Sequence, residues 1–306
     1  MLGHVTDPNA PGGLARRERP EPEPGPHEVV VAVRAYAVNR GELRLLEDRA
    51  DGWAPGQDVA GVVAAAAADG SGPPEGARVV GLADGGGWSE QVAVPAHRTA
   101  VLPDAVDFAQ AAGLPVAGLT ALRALETGGP LLGRRVLVTG ASGGVGSFAV
   151  QLARAAGAHV TGHVSGEHRI EAVRALGADA VITAIDEQAG PFDLVVDGVG
   201  GRVLHDAVHR LAPGGTATAY GVAGGREPTP LAFFDFAPLA RLIAFFVYST
   251  GEETFGRDLG VLAGLVADGR LTVPRGVEAD WGETAAALAA LRERRATGKV
   301  VLTIAG

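Results

Sequence analysis

Residues 136 to 160 read VLVTGASGGVGSFAVQLARAAGAHV, an apolar strand, a glycine-rich turn and a helix. The start of a helix offers N–H groups without intrahelical partners and the positive end of its dipole. A turn bare of side chains at that point therefore lets a pyrophosphate approach closely. Gly143, Gly144 and Gly146 supply the bareness, with Ser142 and Val145 among them, and Ala141 stands where the dinucleotide fingerprint has its first glycine. An NAD-binding unit ends its second strand in an acid that holds the ribose hydroxyls. This chain reads HVTGHVSGEHR (159 to 169), with Val164, Ser165 and Gly166 at the strand end, Glu167 beyond it and Arg169 further on. A hydroxyl and a forked guanidinium suit a phosphate dianion, so the sequence predicts NADPH in preference to NADH. Arg169 also reads as a solvated residue at a helix start.

Two other groupings could do chemistry. His205 and His209 lie four apart in a predicted helix, a spacing that can hold a metal. No glutamate stands between them in a zincin pattern and no further ligand is near in sequence, so the pair reads as a solvated helix face and no metal site is expected. The basic run RERR (292 to 295) reads as an exposed helix face, with Arg295 as an exception.

These groups need a scaffold, and the chain has the material for one. Its 306 residues are 47% hydrophobic and 20% charged, which is globular composition and long enough for two domains. The net charge of -9 argues against a nucleic-acid partner, which would need clustered Lys and Arg. There is no cysteine, which removes disulfides and thiolate metal ligands. No signal-peptide pattern opens the chain, and the apolar run at 238 to 248 is short and contains Arg241, so a cytoplasmic protein without membrane spans is expected.

The segment RPEPEPGPHE (19 to 28) reads as an extended surface connector. A strand is predicted over 29 to 38, and short strands through 76 to 96, giving a mostly β first third. After Asp107 the period becomes helical, interrupted at Pro115. Beyond the glycine turn, strands are predicted at 180 to 183, 193 to 200, 216 to 222 and 242 to 248, with a helix over 202 to 212. This alternation predicts a parallel doubly wound sheet. Helices near 253 to 268 and 282 to 293 and a final strand from Lys299 to the end complete the chain.

Seven segments, AYAVNRGEL (35 to 43), PGQDVAGVV (55 to 63), LPVAGLTALRAL (114 to 125), VLVTGASGGVGSFAVQLARAAGA (136 to 158), LGADAVI (176 to 182), LAPGG (211 to 215) and ATGKVVL (296 to 302), resemble the medium-chain dehydrogenase/reductase superfamily, and within it the zinc-free quinone oxidoreductases. The resemblance implies an α/β protein: a GroES-like β domain (1 to 117 and 250 to 306) with a Rossmann domain (118 to 249) inserted. It implies a cleft for the nicotinamide and a homodimer joined through LIAFFVY (242 to 248). It places Asn39 and Thr120 near the nicotinamide, Ser142 to Gly146 at the pyrophosphate, and Ser165 and Arg169 at the 2'-phosphate. Val199, Gly221 and Phe246 would line the ring pocket, and Arg295 and Lys299 would reach back to the cofactor. Ala184 stands where relatives often have a tyrosine. Asn39 and Gln57 stand where zinc-dependent relatives have a cysteine and a histidine. The implied activity is hydride transfer from NADPH to a quinone or other conjugated carbonyl, with Asn39 or Tyr36 as the candidate catalytic donor and Asp58 in the same motifs. A non-catalytic NADPH sensor, or an enoyl reductase acting on a carrier-bound or polycyclic intermediate, remain the alternatives.

Overall fold

The run of apolar and β-branched residues along 28 to 38 favours a buried strand, and in the computed structural model this is the longest strand of the first of two compact units. The structure describes residues 1–225 and 227–305; Arg226 and Gly306, the last residue of the predicted final strand, lie outside them. One unit comprises Met1–Leu119 with Gly251–Gly306, the other Thr120–Thr250.

The first unit opens with β1 (Leu2–Thr6), β2 (Leu14–Glu18) and β3 (Glu28–Val38), then α1 (Arg40–Asp48). There follow β4 (Asp58–Ala65), β5 (Arg78–Leu82), β6 (Gln91–Pro95), β7 (Thr99–Val101), α2 (Phe108–Ala112) and α3 (Pro115–Glu126). Pro115 separates α2 from α3 and begins the latter, where its missing N–H has no cost. The second unit contributes β8 (Arg135–Thr139), α4 (Gly144–Ala155), β9 (His159–His163), α5 (Ile170–Ala175), β10 (Ala180–Ile182), β11 (Phe192–Asp197), α6 (Gly201–Val208), β12 (Leu211–Ala219) and β13 (Arg241–Ala244). The chain returns to the first unit through α7 (Phe255–Ala267), β14 (Arg275–Asp280), α8 (Thr284–Arg292) and β15 (Lys299–Thr303).

In the first unit β3 is the organising strand. It pairs antiparallel with β4, β6 and β15 in a sheet ordered β14-β15-β3-β4-β5-β7. Val29, Val31, Val33, Tyr36 and Val38 of β3 join Trp88, Trp281, Leu288 and Leu302 in one core. Each such aliphatic side chain, fully buried, contributes about 1.5–3 kcal/mol. This is the GroES-like β unit.

In the second unit six parallel strands are ordered β10-β9-β8-β11-β12-β13. Strand order reverses between β8 and β11, the point of a doubly wound sheet where ligands bind. Three predicted strands change their extent, the one expected at 193 to 200 stopping at Asp197. The strand expected at 216 to 222 begins at Leu211, with a bulge opposite Phe192/Leu194 that absorbs Pro213 and Gly214, so the helix expected to reach 212 stops at Val208. The strand expected at 242 to 248 stops at Ala244. Its partner ends at Ala219, Phe245 N–H makes the last bond to Ala219 O (2.8 Å), and Val247–Ser249 turn as a 3-10 helix.

Candidate functional site

At the head of β8 the turn from Gly140 to Gly143 closes with Gly143 N–H donating to Gly140 O (2.9 Å), and α4 begins at Gly144. A Cβ on Gly146 would lie 2.3 Å from Gly140 O and 2.8 Å from Ala141 Cα, so the turn and the helix approach at a distance only glycine permits. The N–H groups of the first turn of α4 have no intrahelical acceptor. Ser142 beside them is buried, and its Oγ accepts from Arg169 Nη1 at 3.1 Å. The structure thus brings Ser142 and Arg169 together, while Ser165, just past β9, is exposed and Glu167 lies in the following turn (Glu167–Arg169). Bare turn, helix dipole, hydroxyl and guanidinium fit a dinucleotide phosphate.

The neighbouring strand end is fixed by Asp197. It accepts from Thr139 Oγ1 (2.5 Å) and Gly200 N–H (2.9 Å), and Gly198 N–H donates to Thr139 Oγ1 (3.2 Å). Burial holds the Asp197 carboxyl above the usual carboxylate range, against these hydrogen bonds. Gly198 carries the Tyr220 ring: a Cβ there would lie 2.4 Å from its hydroxyl. The loop at Val199 is bound to the one after Gly221 through Ala223 N–H to Gly198 O and Gly224 N–H to Val199 O, both 2.9 Å. Thr120 is buried on α3. Phe246 lies beyond the end of β13, 63% exposed, its ring 5.0 Å from that of Tyr248.

The first unit contains a separate polar network that local spacing did not reveal. Asn39 caps α1, and its amide is fixed by two charges: Oδ1 accepts from Lys299 Nζ (2.6 Å) and Nδ2 donates to Asp58 Oδ2 (2.9 Å). Lys299 Nζ also donates to Asp58 Oδ2 (3.0 Å), and Asp58 Oδ1 accepts Val116 N–H (2.9 Å) at the start of α3. Both charged side chains are buried. Glu42 completes the network from below, accepting from Asn39 N–H (2.7 Å) and Gln57 N–H (3.1 Å). Burial first, then the nearby Asp58 carboxylate, push its carboxyl up to about 8. Asn39 itself remains partly exposed. An amide so oriented has its second N–H available to an outside acceptor.

Three further expected site residues have defined partners in the first unit. Tyr36 is a core residue: it is fully buried, stacked on Trp88 at 5.7 Å, and hydrogen-bonded to Thr284 Oγ1 (2.7 Å), with burial raising its hydroxyl above the ordinary phenol value. Its surroundings in this unit are those of a packed core aromatic, the other reading its sequence position allowed, and nothing here presents its hydroxyl to solvent. The Lys299 ammonium is held by Asn39 Oδ1 and Asp58 Oδ2 inside the unit. Arg295 is exposed after α8 and donates to Glu293 (2.6 Å). Glu42 was missed by sequence reading. The signal available was its place three residues after Asn39, the spacing of a capping box.

A Rossmann sheet with a bare turn at its switch point, in a chain that also carries a GroES-like unit, defines a medium-chain dehydrogenase/reductase. Residues 25–104 match the Alcohol dehydrogenase GroES-like domain family and residues 144–261 the Zinc-binding dehydrogenase family. The chain belongs to this superfamily of oxidoreductases. Within it, the chain is similar to the chloroplast envelope quinone oxidoreductase homolog of Arabidopsis thaliana, 39% identical over 186 residues that cover 56% of each protein. The structure of mycobacterial Rv1454c complexed with NADPH superposes with a TM-score of 0.87 at 27% identity, covering 99% of this chain and 100% of that one. The spectinabilin polyketide synthase system protein NorB of Streptomyces orinoci is 35% identical over 291 residues, 91% of this chain and only 13% of that protein. The chain therefore spans a small part of the synthase and little over half of the chloroplast relative. Among the described residues no helix is long and apolar enough to cross a membrane.

Proposed function

We propose that the protein is an NADPH-dependent reductase of conjugated carbonyl compounds, quinones or enones, that works without zinc. The observation that carries this reading is the Ser142–Arg169 contact (3.1 Å), which sets a guanidinium beside the glycine turn, while no acid stands at the strand-end positions Val164, Ser165 and Gly166 where NAD-binding units have one. Ser142 to Gly146 would hold the pyrophosphate and Ser165 with Arg169 the 2'-phosphate. Thr120, Val199, Gly221 and Phe246 carry over from the resemblance as residues of the nicotinamide end, and Arg295 as a residue reaching the cofactor. Bound NADPH supplies the hydride. A conjugated acceptor spreads the arriving charge onto an oxygen, and the free N–H of Asn39 would orient and stabilise that oxygen. Lys299 and Asp58 would keep the amide facing outward with its N–H.

A second reading, an enoyl reductase acting on a carrier-bound intermediate, is favoured by the alignment to a polyketide synthase over 91% of the chain. We also propose a homodimer through the free edge of β13, where Leu242 and, beyond the strand, Phe246 are exposed. Light scattering on wild type and Leu242→Asp tests it; a monomeric wild type removes it.

The deciding experiment is NADPH oxidation by the purified protein against quinones, enones and enoyl thioesters, with NADH in parallel. Turnover of any class with NADPH supports the reductase, and the class preferred separates the two substrates. NADPH binding with no oxidation across the panel overturns both in favour of a sensor.

A further inference from the structure

Helix α6 puts His205 and its C-capping residue His209 one turn apart, their ring centroids 4.4 Å from each other. Each ring turns its Nδ1 to a backbone carbonyl: His205 Nδ1 lies 2.7 Å from Pro230 O, and His209 Nδ1 3.0 Å from His205 O. A carbonyl only accepts, so Nδ1 carries a proton in both rings, and Nε2 is the nitrogen through which each ring, when neutral, can bind an ion. Metal-binding imidazoles are oriented in this manner, one nitrogen anchored to a carbonyl and the other presented.

The third group comes from a turn that sequence spacing did not connect with α6. Asp235 ends the 3-10 turn Phe233–Asp235, and its Oδ1 stands 3.2 Å from His209 Nε2 while Oδ2 accepts Ala232 N–H (2.7 Å). One ligand atom from each of His205, His209 and Asp235 lies within 4.8 Å of the other two. We propose that these three side chains form a binding site for a divalent transition metal of the zinc class, with the remaining position open to water. Two imidazoles and a carboxylate are a donor set for such ions.

Metal–ligand bonds of about 2.0–2.2 Å span less than the widest separation, so one side chain must swing inward by roughly 1 Å on binding. His209 and Asp235 have the freedom to do so, at 39% and 22% side-chain exposure. A bound ion would then fasten the segment leading into β13 to the end of α6, which the Pro230 and Asp235 contacts already join. The site is separate from the glycine turn and its test needs no turnover.

The experiment is calorimetric titration of EDTA-treated protein with zinc sulfate, paired with cobalt(II) absorption. One ion per chain is expected, with a visible cobalt band of four-coordinate intensity and a raised Tm that EDTA reverses. His209→Ala and Asp235→Asn should each weaken zinc binding at least tenfold and abolish the cobalt band. Circular dichroism and the Tm of the variants without metal show whether they remain folded, and His209→Asp, which restores a ligand, serves if either does not. Absence of saturable uptake by wild type, or uptake and a cobalt band unchanged in the variants, overturns the proposal and leaves His209 and Asp235 as an ordinary ion pair.

Discussion

Lys299 Nζ lies 3.0 Å from Asp58 Oδ2, and both side chains are closed to water, 2% and 0% exposed. Two charges taken from water cost several kcal/mol each, and only a close contact with further hydrogen bonds offsets that. Both conditions hold: Asp58 also accepts from Asn39 and Val116, and Lys299 from its side donates to Asn39. Removing one partner leaves the other charged and alone. Lys299→Met should therefore lower unfolding stability by about 3–5 kcal/mol. The double variant with Asp58→Asn should lose much less than the two single losses combined. Urea denaturation measures this, and a single-variant loss under about 1 kcal/mol would show that the pair is not held as described.

Glu42 predicts a pH dependence of stability. Its carboxyl is raised from 4.5 to about 8 in the folded protein, so between those values the folded state binds the proton that the unfolded state has lost. Its contribution is full below about pH 4.5 and is lost as pH rises through about 8, with a slope approaching about 1.4 kcal/mol per pH unit within that window. Glu42→Gln, neutral throughout, should flatten this part of the profile and be the more stable protein at pH 9. Melting curves from pH 5 to 9 decide it; identical slopes in the two proteins would place the ionised carboxylate in the native state at all these values.

The contrast between these residues shows what the sequence made legible. The glycine turn, its strand and its helix are consecutive, so their chemistry and geometry are both written locally, as is the alternation that makes the sheet parallel and doubly wound. The network around Asn39 is not local: Lys299 meets Asp58 across 241 residues, and only the pairing of β15 with β3 brings them together. Tyr36 was legible as either a donor or a core aromatic, and the nearly continuous apolar run of β3 could not decide, since it marks neither face as the polar one. His205 and His209 were visible as a pair, but Asp235 joins them only through the conformation of the long connection to β13.

Tyr36→Phe separates a core role for the phenol hydroxyl from a catalytic one. The Tyr36 hydroxyl bonds Thr284 Oγ1, which in turn lies 3.1 Å from His4 Nε2. Tyr36→Phe removes one buried hydrogen bond and keeps the ring on Trp88, so stability should fall by about 1 kcal/mol. Turnover with the best acceptor of the panel should stay within about twofold of wild type, because a loss of proton donation would cost about a hundredfold or more. A collapse of kcat with an unchanged melting curve would return Tyr36 to the catalytic machinery.

Arg169 separates two explanations of the same contact. If it serves the 2'-phosphate, Arg169→Ala removes charge-assisted hydrogen bonds worth about 1.5–3 kcal/mol and weakens NADPH binding by roughly ten- to a hundredfold. NADH, which has no phosphate there, should bind with nearly unchanged affinity, and fluorescence titration of both cofactors measures the ratio. If instead Arg169 serves to hold Ser142 and the glycine turn through its 3.1 Å bond, both cofactors should weaken together. The ratio of the two affinities is therefore the informative quantity, because damage to the turn cancels from it while loss of phosphate recognition does not.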